Sequence, residues 1–575
     1  MRIPQTGDAR RFVAILAGLF AVFPVVAQPP EQPQPFDIVI RNGHILDGTG
    51  SPWYSGDVGI CGGKIAAIGD LAGAPTKRTI EAGGEVVAPG FIDMLGQSEL
   101  TILVDPRLPS KIHQGITTEV TGEGNSVAPV NEAMVAADRA VYRHYRITPD
   151  WRTLRQYFAR IEKEGMGINL ASYVGATSVR RMVLGDADVQ PTVAQLREMQ
   201  ALVREGMRDG AVGLSTALEY APAPYARTPE LVALAEPAAE AGGIYATHMR
   251  SEGDAVLEAI DEAAQIGREA HIPVEIWHLK VAGKGNWGKM PRIVAHIDAL
   301  RAAGVDVSAN TYAYTAWSNE LSAFVPPWAH AGGVAKMIER LREPGLRARI
   351  RKDLLTPGKD SANEDWDNEW QEVPDPSKIL IAVVQNPALL PLEGKRLSEV
   401  AVLWKEDPMD TLLDILIKDE AFTEVAVFGM DEADVRLALQ QPWVSVDNDS
   451  SGTSPEGPLA QEHPHPRAYG TFPRILRKYV RDEKALTLPD AIRKFTALPA
   501  QRMRFTDRGV LKRGMWADVV VFDPQTIHDT ATYENPNQLA KGVDYVLVNG
   551  VPVIDTGKMT GALPGQVLRG PGYVP

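Results

Sequence analysis

Two histidines close two short apolar runs of this chain, Ile244–His248 and Val274–His278. Between them, Asp254–Ala270 repeats apolar residues at helical spacing (Val256, Ile260, Ala263, Ile266). A strand, a helix and a second strand in that order form a crossover unit whose strands run parallel. Both imidazoles then reach the same C-terminal sheet edge, the edge that carries the active site in (β/α)8 barrels. Two imidazoles from neighbouring strands suit a divalent metal ion. A single histidine there would more often be a core residue with a local hydrogen bond. A pair at matching strand ends favours the metal.

The elements that must position this pair recur at regular intervals. Eight runs read as barrel strands: Val86–Asp93, Thr117–Val120, Asn169–Val174, Val212–Thr216, Ile244–His248, Val274–His278, Val305–Tyr312 and Val444–Asp449. Thr192, with Gln195 three residues on, caps a helix whose buried face is Leu196, Met199, Val203 and Met207. Thr228-Pro229-Glu230 opens another. From Phe36 to Ala88, short β runs alternate with turns at Asn42-Gly43, Gly62-Gly63 and Gly83-Gly84. The C-terminal stretch has the same texture at Gly509–Val510, Ala517–Phe522, Val543–Val548 and Val551–Ile554. The gap between the seventh and eighth strands is too long for a loop and reads as an inserted subdomain. It holds an amphipathic helix over Val334–Ile350, an acidic loop over Asp360–Asp375 and a β run over Ile379–Val384. The expected fold class is α/β: a (β/α)8 TIM barrel, a small β-sandwich domain built from both termini, and an insertion before the eighth strand. The expected boundaries are 36–88 and 506–575 for the β-domain and 89–505 for the barrel, with the insertion at about 315–430.

The chain of 575 residues carries a formal net charge of −14, which argues against nucleic acid or an anionic membrane as partner. Residues 12–27 are nearly all apolar and follow Arg10-Arg11. The run is short for a membrane span and ends in Val25-Val26-Ala27. It reads as a signal peptide (1–27) before a Pro/Gln-rich spacer (28–35), hence an exported protein, periplasmic or secreted, with no stable membrane association after cleavage. An uncleaved anchor is the alternative. The only cysteine, Cys61, is expected to be a buried small hydrophobe.

Several pieces, in this order and spacing, resemble the amidohydrolase superfamily, and within it the N-acyl-D-amino-acid deacylases (D-aminoacylases). They are Asp37-Ile-Val-Ile-Arg-Asn-Gly43, Ala88-Pro-Gly-Phe-Ile-Asp93, Gln114-Gly-Ile-Thr-Thr118, Tyr245-Ala-Thr-His-Met-Arg250, Trp277-His-Leu-Lys280, Gly429–Val435, His465-Pro-Arg467 and Arg513–Asp523. The resemblance covers the chain from about Phe36 to its end. It implies a zinc ion on His248 and His278, a proton-transferring carboxylate at Asp449, and substrate-facing residues at Tyr220, Lys280, Tyr312 and Ser318. The sequence departs from the family twice. Where the family has His-x-His, this chain has Leu95-Gly96-Gln97, so a second metal is expected to be weak or absent. The family's cysteine ligand is missing, and Glu123 falls at or next to its place, with Glu119 the weaker candidate.

The implied activity is hydrolysis of N-acyl amino acids, D-isomers favoured, or of related small amides. One divalent metal, Zn2+ by preference, would activate water on Glu123, His248 and His278, and Asp449 would move the proton. Lys280 and Arg250 offer cations to a substrate carboxylate, although Arg250 has acidic neighbours that could pair with it. Tyr312 and Tyr314 alternate on one strand, so at most one faces the barrel. The alternatives are a dipeptidase or lactonase of the same superfamily, or a non-catalytic periplasmic binding protein. A small N-acylated amino acid or short peptide is the expected partner, and a homo-oligomer is compatible with the sequence.

Overall fold

The computed structural model describes residues 35–356 and 366–575. The expected signal peptide, nearly all of the spacer and residues 357–365, which include the first part of the acidic loop, lie outside the described residues.

The eight barrel strands are Phe91–Asp93, Ile116–Thr121, Asn169–Ser172 continued by Val174–Gly175, Gly213–Ala217, Ile244–His248, Val274–Ile276, Val307–Thr311 and Val444–Val446. Each pairs in parallel with the next, the seventh pairing with the eighth across the insertion. The ring closes where Asp449 N donates to Leu95 O at 2.9 Å and Asn448 N donates to Asp93 Oδ1 at 2.8 Å. The strands are buried on both faces, as parallel sheets covered by helices must be. The helix Val193–Asp209 starts with the capping box of Thr192 and Gln195. The helix Thr228–Glu240 has no side-chain cap, because Arg227 stands at the cap position and Thr228 is already the first helical residue; the Thr228 hydroxyl donates to Glu262 at 2.8 Å.

Val86–Asp93 is not one barrel strand. It divides at Gly90, whose backbone lies so close to Thr117 that any Cβ would collide with that side chain at 2.2 Å. Val86–Pro89 joins the β-domain, antiparallel to Val519–Phe522, and only Phe91–Asp93 enters the barrel. The β-domain is one nine-stranded sheet made from both chain ends. Along Val519–Phe522, the side chains of Val519 and Val521 pack into the domain's own core, while Val520 and Phe522 pack into the barrel's core. This is the two-residue period of a strand placed between two layers. Phe91, Phe472, Phe495 and Phe522 interlock there, with Phe91 edge-on to Phe495 at 5.0 Å between centroids. Full burial of one such side chain contributes about 1.5–3 kcal/mol.

Other local expectations are corrected. Asn42-Gly43 is no turn but an irregularity inside the single strand Ile38–Ile45. Gly509–Val510 forms no strand. Cys61 is exposed, because it follows the inward-facing Ile60 and alternation turns it to solvent. The Val334–Ile350 helix is two helices, Val334–Arg342 and Pro344–Leu355, broken before Pro344. The insertion adds the antiparallel strands Trp317–Glu320, Ile379–Ile381 and Glu424–Val427. It seats on the barrel face through Asp367, whose carboxylate accepts from Ser251 Oγ, Glu252 N and Gly253 N.

Candidate metal centre

The C-terminal edge of the barrel gathers Glu123, His248, His278 and Asp449. Glu123 stands in a tight turn after the second strand, between Gly122 (φ 96°) and Gly124 (φ 56°). A Cβ on Gly124 would meet Ala217 N and Ala217 Cβ at 2.7 Å, so the turn's close approach to the fourth strand requires glycine. His248 ends the fifth strand. His278 lies two residues past the sixth, in the left-handed region at φ 36°, with its backbone N–H donating to Asn310 Oδ1 at 2.7 Å. Asp449 is left-handed too, at φ 46°. Such backbone is unfavourable for these residues and clusters at functional sites.

Glu123 Oε1 is 3.2 Å from His248 Nδ1 and 3.5 Å from His278 Nε2. One ligand atom from each of the three residues falls within 4.8 Å of the other two. One carboxylate and two imidazoles form a known catalytic zinc set, and the surroundings fit it. The second nitrogen of each imidazole faces an acid, as metal-bound histidines require. His248 Nε2 is 2.6 Å from Glu219 Oε2. His278 Nδ1 is 2.9 Å from Glu252 Oε1, although poorly aligned with it, and 2.8 Å from Lys280 Nζ. Glu219, His248 and Glu252 make a second possible ligand group on the other side of His248. It offers one nitrogen where the first offers two, and in it Glu219 and Glu252 better serve as orienting acids.

The electrostatics agree with that division. Burial alone would raise the Glu123 carboxyl, but the hydrogen bonds with His248 and His278 outweigh it and hold the group well below the ordinary carboxylate range. Burial pulls His248 down, yet the Glu252, Glu123 and Glu219 carboxylates drive it well above its ordinary value. A divalent cation bound among these carboxylates would balance the same charge concentration that raises His248. Asp449 differs: burial raises it, and the pairing with Arg467 only partly offsets this. A carboxylate raised by burial accepts a proton more readily than an ordinary one, which suits a general base.

Asp449 is fixed from two sides. Its Oδ2 is 2.7 Å from Arg467 Nη1, and its Oδ1 accepts from Gln97 Nε2 at 3.2 Å. Gln97 Nε2 also donates to Glu123 Oε2 at 2.8 Å. Arg467 is itself held by Ser318 O at 3.1 Å and stacks on the Tyr312 ring at 4.8 Å. His465 Nδ1 accepts from the Arg467 backbone N–H at 3.0 Å and so orients that loop.

Of the expected substrate residues, three border the cluster. Tyr220 stands edge-on to His248, with 4.8 Å between ring centroids. Lys280 Nζ pairs with Glu252 Oε2 at 2.6 Å. The Tyr312 ring lies between Lys280 and Arg467, while Tyr314 turns away to His465 and Tyr533. The other two do not join them. The fifth strand stops at His248, so alternation no longer governs Arg250, whose guanidinium holds both carboxylate oxygens of Glu262 and the carbonyls of Pro224 and Ala226. The Ser318 hydroxyl donates to Val425 O at 2.8 Å inside the inserted sheet. Glu119 holds Ser98 and faces Lys111 instead of the histidines. Gln97, Glu219, Glu252 and Arg467 are not among the residues expected at the site, and Glu252, a candidate partner for Arg250, meets His278 and Lys280 instead. Glu252 had a signal in its position, four residues beyond His248 in the same strand-end loop, and Arg467 had one in the His-Pro-Arg motif. Gln97 had one in its place at the end of Leu95-Gly96-Gln97, where the family has His-x-His, and Glu219 carried none.

The profile of the amidohydrolase family matches residues 435–554. The chain is 35% identical over 534 residues to the N-acyl-D-glutamate deacylase of Alcaligenes xylosoxydans xylosoxydans, covering 93% of this chain and 96% of that one. It is similar to the crystal structure of N-acyl-D-glutamate deacylase from Bordetella bronchiseptica, which is complexed with zinc and a phosphonate inhibitor. There the TM-score is 0.78 at 33% identity, over 93% of this chain and 100% of the other. It is similar also to a D-aminoacylase with a binuclear metal centre, described by one-metal activation and second-metal attenuation. That match has a TM-score of 0.76 at 32% identity, over 93% and 100% of the two chains. With a barrel edge of this composition and relatives matched along nearly the whole chain, the protein belongs to the N-acyl-D-amino-acid deacylase (D-aminoacylase) family of the amidohydrolases.

Proposed function

We propose that this chain hydrolyses the amide bond of N-acyl amino acids, preferring the D-isomer, with one zinc ion held by Glu123, His248 and His278. The observation that carries this reading is the convergence of those three ligand atoms within 4.8 Å of one another, with Asp449 tied to Glu123 through Gln97. When bound, the ion supplies Lewis acidity for the acyl carbonyl and an acidified water for the attack. The residues supply the rest. Asp449 accepts the proton of the attacking water and returns it to the departing nitrogen. Glu219 and Glu252 keep the imidazoles in the tautomers that bind metal. Arg467, a buried cation whose Nε has no hydrogen-bond partner, and Lys280 receive the substrate carboxylate, with Tyr220 and Tyr312 walling the pocket. The D preference follows the relatives named above.

The test is a screen of N-acetylated amino acids, D and L of each, with zinc-loaded protein. Free D-amino acid should appear, and Asp449→Asn should suppress it. A chain that binds zinc and releases no amino acid from any of them is not a deacylase. Export through residues 12–27 is part of the same proposal. N-terminal sequencing of the protein from a periplasmic or culture fraction should begin near Gln28, and a start at Met1 would contradict it.

A further inference from the structure

Glu123 and Asp449 each bring one carboxylate oxygen to the same side-chain amide nitrogen, so the two acids lie close together. Two buried carboxylates held close together repel, and the ordinary relief is a cation between them. What stands between them here is an uncharged amide. Gln97 Nε2 donates to Glu123 Oε2 at 2.8 Å and to Asp449 Oδ1 at 3.2 Å, one N–H for each acid.

The backbone around Gln97 holds the amide in place. Its N–H donates to Ser450 O at 3.2 Å, and its carbonyl accepts from Ser451 Oγ at 2.7 Å, so the residue is joined to the chain that follows the eighth strand. Gly96 before it donates to Val120 O at 2.8 Å and has no room for a side chain, since a Cβ would lie 1.7 Å from Glu119 Oε1. Leu95 is fully buried in an apolar cluster with Met94, Val120 and Trp277, and it offers no ligand. The position that can reach both acids is therefore residue 97, and its side chain is a donor without charge.

Resting on the one-metal reading above, we infer that Gln97 occupies the place of a second cation and fixes the metal content of this chain at one ion. Its two N–H bonds satisfy the inner oxygens of Glu123 and Asp449. Glu123 is left with Oε1 for the ion shared with His248 and His278, and Asp449 is left free to exchange a proton. Gln97 is a positioning residue in this scheme and does not itself react.

Metal content tests this apart from activity. Metal-free protein is equilibrated with increasing zinc and dialysed, and bound zinc is measured by elemental analysis. Wild type should level at one equivalent and stay there in tenfold excess. Gln97→Glu, which places a third carboxylate between the other two, should take up a second equivalent. Gln97→His, which offers an imidazole there, should do the same. Cobalt substitution adds a signature: two ions this close should couple magnetically in the variants and not in wild type. A wild type that levels at two equivalents overturns the inference whether or not the variants fold. Folded Gln97→Glu and Gln97→His proteins that both stay at one equivalent overturn it as well, and both outcomes leave the deacylase reading standing. A wild type that binds no zinc removes the metal reading, and this inference with it.

Discussion

Two buried ionic clusters lie at the same end of the barrel. Around Lys111, which is fully buried, the ammonium group donates to Asp93 Oδ2 at 2.8 Å, Asn448 Oδ1 at 3.2 Å and Ser450 O at 2.7 Å. Asp93 Oδ1 accepts from Asn448 N and Leu95 N, and Glu119 accepts from Ser98 N and Oγ. Each proton and each carboxylate oxygen there has a partner inside the protein. Around His248 and His278 the accounting does not close. Among the described residues, Glu252 Oε1, both oxygens of Asp447 and Nε of Arg467 are buried without a hydrogen bond. Unpaired polar groups in a low-dielectric interior are costly, and they persist where a ligand or substrate will satisfy them. Buried charge therefore does not mark the active site, since both clusters have it. Unfinished bonding separates these two clusters: orphaned polar atoms occur elsewhere too, at Arg180, Arg508 and Asn549 for example, but of the two ionic clusters only the one around the histidines has them.

The largest expected effect removes proton transfer from the unfinished cluster. Asp449→Asn keeps the shape and the Arg467 contact but cannot accept a proton, so turnover should fall by ~10²–10⁴ with zinc retained. Zinc loss instead, seen in elemental analysis, would make Asp449 a ligand and redraw the site. Next is the finished cluster. Lys111→Met leaves Asp93 and Glu119 buried without their cation and should lower stability by about 3–5 kcal/mol in denaturant titrations. Zinc affinity of the fraction still folded should stay unchanged, and a parallel loss of zinc affinity would join the two clusters into one. A smaller effect is expected at Glu219. Glu219→Gln keeps a hydrogen-bond acceptor at His248 Nε2 but loses the charge, and zinc affinity should drop about 10–100-fold with the melting temperature nearly unchanged. Unaltered affinity would refute its orienting role.

The smallest effect lies outside the barrel. Burial, followed by a hydrogen bond to Asp544, raises the Glu85 carboxyl to about 8. Its folded form holds a proton more tightly than the unfolded chain does. The stability this contributes is fully present below the ordinary value near 4.5 and is lost as pH rises through about 8. Glu85→Gln should abolish that loss. Its melting temperature should match wild type near pH 5 and exceed it at pH 8, with zinc content and turnover unaffected. An equal gap at both pH values would deny the linkage, and altered turnover would extend the site into the β-domain.

The residues themselves announced the repeating part of this protein. A strand, a helix and a strand ending in histidine specify parallel strands and a shared edge, because side-chain period and chain direction are local properties. The eight strands follow from that periodicity, the insertion from the one interval too long for it, and the shared β-domain from the like texture of the two ends. Local pattern failed where a neighbour decided the outcome. Gly90 divides an apolar run because Thr117 leaves no room beside it, Asn42-Gly43 becomes a bulge because the strand continues on both sides, and Arg250 turns to a helix acid because its strand has ended. The histidine pair could be read from residue type and position. Gln97 between Glu123 and Asp449 could not, since those residues lie 26 and 352 positions away along the chain. Hydrogen bonds over such separations exist only once the barrel has closed, so the tertiary structure alone decided how the two carboxylates are held.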